Sequence, residues 1–340
     1  MGYVYALSAA LLFGLNGSVT RVTVDAGIDP AQLTFIRVLS VCLIAGGWLA
    51  LTDRGAFRIT RRQVAVMAVL GVAGVALLQW TYAMAIKLLP VGIALLLEYL
   101  AVLAVAVIAR VFFGERVKGR LWVAIALVLA GLALVARPGG ADLDPVGVLF
   151  GLAAAATLTV YFLVGERQVA ATSPMAVAFW SMGFATLFWA MFSGWWRLDP
   201  ALLAATTSLD GALEAVSVPL WLVVAWNAVL GSFAPFLLSF LALRRLSATA
   251  VGIVASSEVV FAFAFAWMWL GQALDPFQLA GASVVLVAII LAQTARPDAA
   301  MDADLASQRL AASMPDDESE TGAAAHAAGA RGAGSPSDAR

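Results

Sequence analysis

"VGIALLLE" (91–98) and "VGIVASSE" (251–258) share their first three residues and their last, each displaced by 160 positions. In the first stretch a glutamate closes a run of apolar residues, and "YLAVLAVAVIA" follows it. A carboxylate has no ordinary place in such a run. That it occurs twice, at matching internal spacing, suggests a duplicated unit rather than an accident. The rest of the chain can be read outward from this pair.

The chain has 340 residues, 63% of them hydrophobic and 12% charged. A soluble globular chain is nearer half apolar and a quarter charged. With a mean hydropathy of +0.95, the excess cannot be folded away in one core, and the class implied is an integral membrane protein. The net charge of −1 suggests no nucleic-acid partner. Cys42 is the only cysteine and His326 the only histidine. This excludes an intrachain disulfide, histidine or cysteine metal clusters, and histidine-dependent catalysis. Neither phosphate loop nor nucleophile elbow is present, so no enzyme and no cofactor are expected. The N-terminal stretch "MGYVYALSAALLF" lacks the basic flank of a cleaved signal and reads as a first spanning helix.

About 20 apolar residues span a bilayer. Ten such segments can be cut, at 2–24, 31–51, 64–86, 90–113, 120–137, 145–165, 174–196, 219–243, 248–270 and 276–295. Breakers mark their joints, among them Asp29-Pro30, Arg137-Pro138-Gly139-Gly140, Asp144-Pro145, Ser173-Pro174 and Asp275-Pro276. With the N-terminus inside, twelve Lys or Arg fall on the inner side, against Arg21, Lys87, Arg137 and Arg197 outside. That bias predicts both termini in the cytoplasm. Residues 296–340, rich in Ala, Gly, Ser and Asp, read as a disordered cytoplasmic tail.

Further matches follow the opening one in order. "LG" at 70–71 matches 230–231, Gln79 matches Ser239, and "YALSAALLF" (5–13) matches "FGLAAAATL" (150–158). Pro30 and Phe35 match Pro174 and Phe179, and Gly114-Glu115 matches Gly271-Gln272. Their order divides the chain into residues 1–139 and 140–295, five helices each. Five is odd, so the second half inserts upside down. The expectation is an all-α protein of ten transmembrane helices in two inverted five-helix repeats, N-in and C-in. Secondary transporters use this plan, with substrate bound near the midplane between the halves.

The chain also resembles the drug/metabolite transporter superfamily, in particular its EamA-type ten-helix permeases. The resemblance rests on "LLFGLNG" in the first helix, the Pro30-to-Arg37 pattern ending "FIR", and "LLLEYL" in the fourth. "FFGERV" follows the fourth helix, and "SSEVVFAFAFAWMWLGQ" lies in the ninth. It covers about residues 2–295. It implies export of small metabolites such as amino acids, often coupled to an ion gradient, protons among the options, from a cell membrane of bacterial inner-membrane type. The chain departs from the family pattern in two respects. The proline expected after each glutamate is replaced near Val102 and Val259, and a glutamate after the ninth helix is Gln272 here.

Ionisable and polar residues at membrane depth are the candidate site. Glu98 lies seven residues past Val91 and Glu258 seven past Val251, each roughly 10 Å inside the membrane from opposite faces. Each binds a substrate ammonium or proton, or is a structural carboxylate; Ser256 and Ser257 offer Glu258 local partners. Arg37 pairs with a glutamate, binds a substrate carboxylate, or snorkels to the outer interface. Asn16, Gln79 and Asn227 contact substrate or link helices. Tyr99, Trp80, Tyr82, Tyr161 and Trp180 line a cavity or simply pack. Gly71-x-x-Gly74 and Gly147-x-x-x-Gly151 read as close helix contacts. The partners expected are thus a small-molecule substrate and the lipid bilayer. The competing readings are a non-transporting membrane partner or sensor that uses its tail, and a lipid-acting membrane enzyme.

Overall fold

Helix starts follow from a recurring dipeptide. Asp29, Asp144, Ser173 and Asp199 each precede a proline, and each side chain accepts a backbone N–H two or three residues on, from Ala31, Val146, Ala176 and Ala201 respectively. Proline has no N–H to leave orphaned, and the capping oxygen satisfies one that would be. Asp275 does the same for Phe277 and Gln278 ahead of the last helix. The computed structural model describes residues 1–112, 119–135, 143–243, 245–246, 251 and 254–293. Arg137 to Gly140, Gly114-Glu115 and the 297–340 tail lie outside the described residues.

The first helices are α1 (Gly2–Asp25), α2 (Pro30–Thr52), α3 (Arg61–Val69) and α4 (Leu77–Leu88). A π-helical stretch, Leu70–Ala76, joins α3 to α4. α5 (Val91–Glu98) and α6 (Ala101–Phe112) follow, then α7 (Arg120–Val135), α8 (Pro145–Ala171), α9 (Pro174–Phe192) and the short α10 (Pro200–Ala204). α11 (Leu220–Ala228) and α12 (Ala234–Leu243) are joined by a second π-helical stretch, Val229–Phe233. α13 (Ser257–Met268) and α14 (Pro276–Gln293) complete the bundle. Among the described residues six helical rods are long and apolar enough to cross a membrane, and four shorter apolar helices lie among them. Leu43, Leu129, Leu187 and Val287 are more than half exposed, while Thr20, Thr34 and Asn227 are wholly buried. Apolar outside and polar within is the arrangement of a multi-pass membrane protein.

Two expectations are corrected. The fourth segment is not one helix over 90–113: it breaks at Tyr99–Leu100. The seventh ends at Phe192, where Gly194 turns the chain at φ 63°. The described residues are mostly helical and agree with the all-α membrane class; one small hairpin is added, in which Thr206–Ser208 (β1) pairs antiparallel with Ser217–Pro219 (β2). The sequence "TTS…SVP" is β-branched and polar, too short and too wet for a helix, and Asp210 and Gly211 reverse it at φ 60° and 54°. The hairpin sits on the end of α13, where Trp269 Nε1 donates to Leu209 O at 2.8 Å and Ala212 N donates to Trp269 O at 2.7 Å.

The rods pack in a definite set of pairs. α7 lies on α14, α2 on α9, and α5 on α13. α4 lies on α8 as α1 does on α12, and α8 meets α5 and α6 as α1 meets α13. The π stretch beside α4 meets α9, and the one beside α12 meets α2. Glycines allow the closest approaches, as their spacing suggests. A Cβ on Gly71 would strike the Ser181 backbone, one on Gly74 the Tyr161 backbone, and those on Gly147 and Gly151 the side chains of Leu89 and Leu97. The sequence reading missed the tightest crossing of α7 and α14, where Cβ atoms on Gly131 and Gly281 would each meet the other's carbonyl, at 2.7 and 2.6 Å. With no water to expel between helices in lipid, such van der Waals fit holds them together.

Candidate functional site

Glu98 is the last residue of α5, where the chain turns through Tyr99–Leu100 before α6 begins. No proline is needed for the break. The second glutamate also stands beside an interruption, but on its other side: the turn at Ser256 precedes α13 and Glu258. Glu98 is 9% exposed, follows buried Leu95, Leu96 and Leu97, and its Oε2 has no hydrogen-bond partner. The absence of a local polar partner is as the sequence suggests.

Arg37, 6% exposed in α2, does not snorkel. Its Nε donates to Ser232 Oγ at 2.9 Å. Ser232 lies within the π stretch Val229–Phe233, and its hydroxyl donates in turn to Asn227 O at 3.0 Å. Asn227 Nδ2 then donates to Thr20 Oγ1 at 3.1 Å. A π turn displaces backbone carbonyls from their usual donors, and a serine hydroxyl here takes one up. The chain of bonds thus runs from α2 through the α11–α12 rod to α1, all of it buried. Asn227 Oδ1 and Asn16 Oδ1 remain unpartnered, and Asn16 presses on Gly231, where any side chain would collide with it.

Arg37 is close enough to Tyr82 and Glu98 to interact electrostatically, and these two in turn to Glu258. Among the described residues, however, the one ion pair is Arg21 with Asp25 at 2.6 Å. Arg37 and Glu98 are therefore a buried guanidinium and a buried carboxyl group more than 4.0 Å apart, not joined to one another. Two such ionisable groups are expensive in a membrane interior unless something bridges them. Gln79 lies one helical turn before Tyr82 on α4, and its Oε1 is likewise unpartnered. The Tyr82 hydroxyl lies against Gly17 of α1.

Glu258 is different. Its Oε2 accepts from the Tyr99 hydroxyl at 2.7 Å, a bond between residues 159 positions apart. The expectation that Ser257 partners it is corrected: Ser257 Oγ donates to Val254 O at 2.6 Å, the carbonyl one turn back, as a helical serine does. Ser256 is fully buried at the turn. Three aromatic candidates stand apart. Trp80 packs on Phe150 and Trp189, and Tyr161 on Phe162 and Phe236. Trp180 Nε1 donates to Ala56 O at 3.1 Å, near the loop after α2. Ser232, Thr20 and Gln272 take part in the geometry and were not singled out as site residues from sequence. For Ser232 a signal existed, since it follows the "LG" at 230–231 that matches 70–71. Among the described residues no group of His, Cys, Asp and Glu is arranged to hold a metal.

The EamA-like transporter family matches residues 1–137 and 145–294, nearly all of the described bundle. The chain belongs to that family. Among proteins of known role, the threonine/homoserine exporter of Escherichia coli (strain K12) is 28% identical over 211 residues, 62% of this chain. The same exporter from Salmonella typhimurium (strain LT2) gives the same identity and cover. The chain spans 65% of the length of these relatives. The "Probable terminal-alkyne amino-acid exporter" of Streptantibioticus cattleyicolor is 27% identical over 279 residues, 80% of this chain and 86% of its own. A solved structure described as "Crystal structure of protein" shares the fold, with a TM-score of 0.57 and 19% identity over 86% of this chain and 96% of that one.

Proposed function

We propose that the chain exports small α-amino acids across a bacterial cell membrane by alternating access. The observation that carries this reading is the separated pair Arg37 and Glu98. An amino-acid zwitterion carries a carboxylate for a guanidinium and an ammonium for a carboxylate. Placed between the two, it satisfies both buried charges at once. The three relatives are named as exporters of amino acids, which supports the same class.

The architecture proposed is ten spans in two inverted halves, 1–139 and 140–295, with both termini cytoplasmic. The packing supports it. Exchanging first rod for sixth, second for seventh and so on maps α4 on α8 onto α12 on α1, and maps α13 on α1 onto the α5–α6 rod on α8. The same exchange carries the π stretch at Leu70-Gly71 onto that at Leu230-Gly231. The family match in two stretches agrees with this division. Glu98 and Arg37 then lie in the outer half of the membrane and Glu258 in the inner half. Protons are the proposed coupling ion.

The test is flux of radiolabelled amino acids in liposomes for wild type, Glu98→Gln and Arg37→Gln. Loss in both variants, with the amino-acid amide losing its dependence on Arg37, supports the reading. Full flux in both would discard it. A sensor that works through its tail would instead tolerate both changes and fail on deletion of 297–340.

A further inference from the structure

The turn between α4 and α5 is held from both sides. Before it, Arg21 of α1 donates from Nη1 to the carbonyls of Ile86 at 2.6 Å and Lys87 at 3.3 Å, and is itself paired with Asp25. These carbonyls belong to the last turn of α4, which no following helical N–H reaches. After the turn, Pro90 precedes α5 without a side-chain cap. Instead the Val91 N–H donates to Gln272 Oε1 at 2.9 Å, a residue 181 positions away. Gln272 is brought there by Gly271, whose φ of 66° turns the chain sharply beyond α13. The Gln272 backbone is itself tied to Ala266 O at 3.0 Å.

α5 is a rod of eight residues with Val91 at one end and Glu98 at the other. Fixing the first fixes the second, roughly 10 Å away. Ile86, Leu89, Val91 and Ile93 around the turn are all at most 1% exposed. We propose that Gln272 is the positioning residue for Glu98, and that its cap on Val91 is the clasp between the two halves that keeps this end of the bundle shut. The proposal rests on the transport reading above. It also gives a sense to the amide. A carboxylate could accept the same N–H, with added attraction to the positive end of the helix, but protonation would remove that attraction and leave only a neutral carbonyl oxygen to accept. The amide accepts equally at every pH, so the strength of closure at this end does not vary with acidity outside.

Hydrogen–deuterium exchange on the full chain in nanodiscs tests the clasp. Peptides over 89–98 should exchange about tenfold faster in Gln272→Met than in wild type, as for loss of a helix cap. Peptides over 120–135 should be unchanged. Gln272→Glu should exceed the wild-type protection at neutral pH and lose that excess in acid. In liposomes Gln272→Met should raise the KM for the amino acid about threefold or more, and Gln272→Glu should restore it. If Met disturbs exchange over 120–135, Gln272→Asn gives the same polarity without the reach. Unchanged exchange over 89–98, or faster exchange with unaltered KM, overturns the proposal. Absence of any amino-acid flux in wild type would sink the transport reading alone, since the exchange experiment needs no substrate.

Discussion

The two glutamates sit at matching places in the two proposed halves, yet only one is satisfied. Glu258 accepts a hydrogen bond from Tyr99, while Glu98 Oε2 accepts none. The same contrast appears at the two π turns. In one crossing Arg37 reaches Ser232; in the other, Ser181, which stands 144 residues on from Arg37, lays its backbone on Gly71. There Trp189 Nε1 takes the Ala76 carbonyl at 3.1 Å and aromatic rings fill the space. On the two-halved plan proposed above, one scaffold is furnished twice, once with a separated guanidinium and carboxyl and once with paired or apolar groups. On that plan the scaffold explains where a site can be, and the asymmetry says which half would hold it.

Each substitution below tries to erase that difference. Glu98→Gln should have the largest effect, lowering amino-acid flux by about a hundredfold, because a buried opposite charge is lost to the substrate. Arg37→Gln should approach it, and Arg37→Lys should recover only part, since an ammonium lacks the planar fork that grips a carboxylate. Ser232→Ala leaves both charges in place but frees the guanidinium. We expect the KM for the amino acid to rise about tenfold, the value of a hydrogen bond to a charged group. Transport of the matching decarboxylated amine should be unaltered and Ser232→Thr should rescue; equal losses for both compounds would mean that Ser232 is merely structural. Tyr99→Phe and Glu258→Gln should each lower flux about threefold, and the double variant no further, because they remove two ends of one bond. Additive losses would show that Glu258 has a second task. Deleting 297–340 should leave flux within about twofold of wild type, as for a solvated tail.

Much of this was legible in the residues. Asp-Pro and Ser-Pro steps announced helix starts, because capping and proline are local chemistry. The unpartnered Glu98 was legible too, since its neighbours are leucines that offer nothing polar. What was hidden depends on distance or on phase. Tyr99 and Glu258 meet across 159 positions and Arg37 and Ser232 across 195, which one sequence cannot reveal. The hairpin at 206–219 was lost because a loop too polar for a span was given no structure of its own. The π turns were invisible because hydropathy averages over a window and is blind to one residue more or less.

That last point has a consequence for Val229–Phe233. A π turn carries one residue beyond what an α-helix of the same length needs. Removing a single residue there would leave composition, charge and hydropathy almost untouched. It would return the stretch to an α-helix of the same length and leave the residues beyond it in phase. Phe236 would keep its place against Phe13 and Tyr161, but the Asn227 carbonyl would regain a backbone donor and no longer need the hydroxyl that Ser232 offers to it and to Arg37. The orientation of a buried arginine in one helix is therefore written as a count of residues in another.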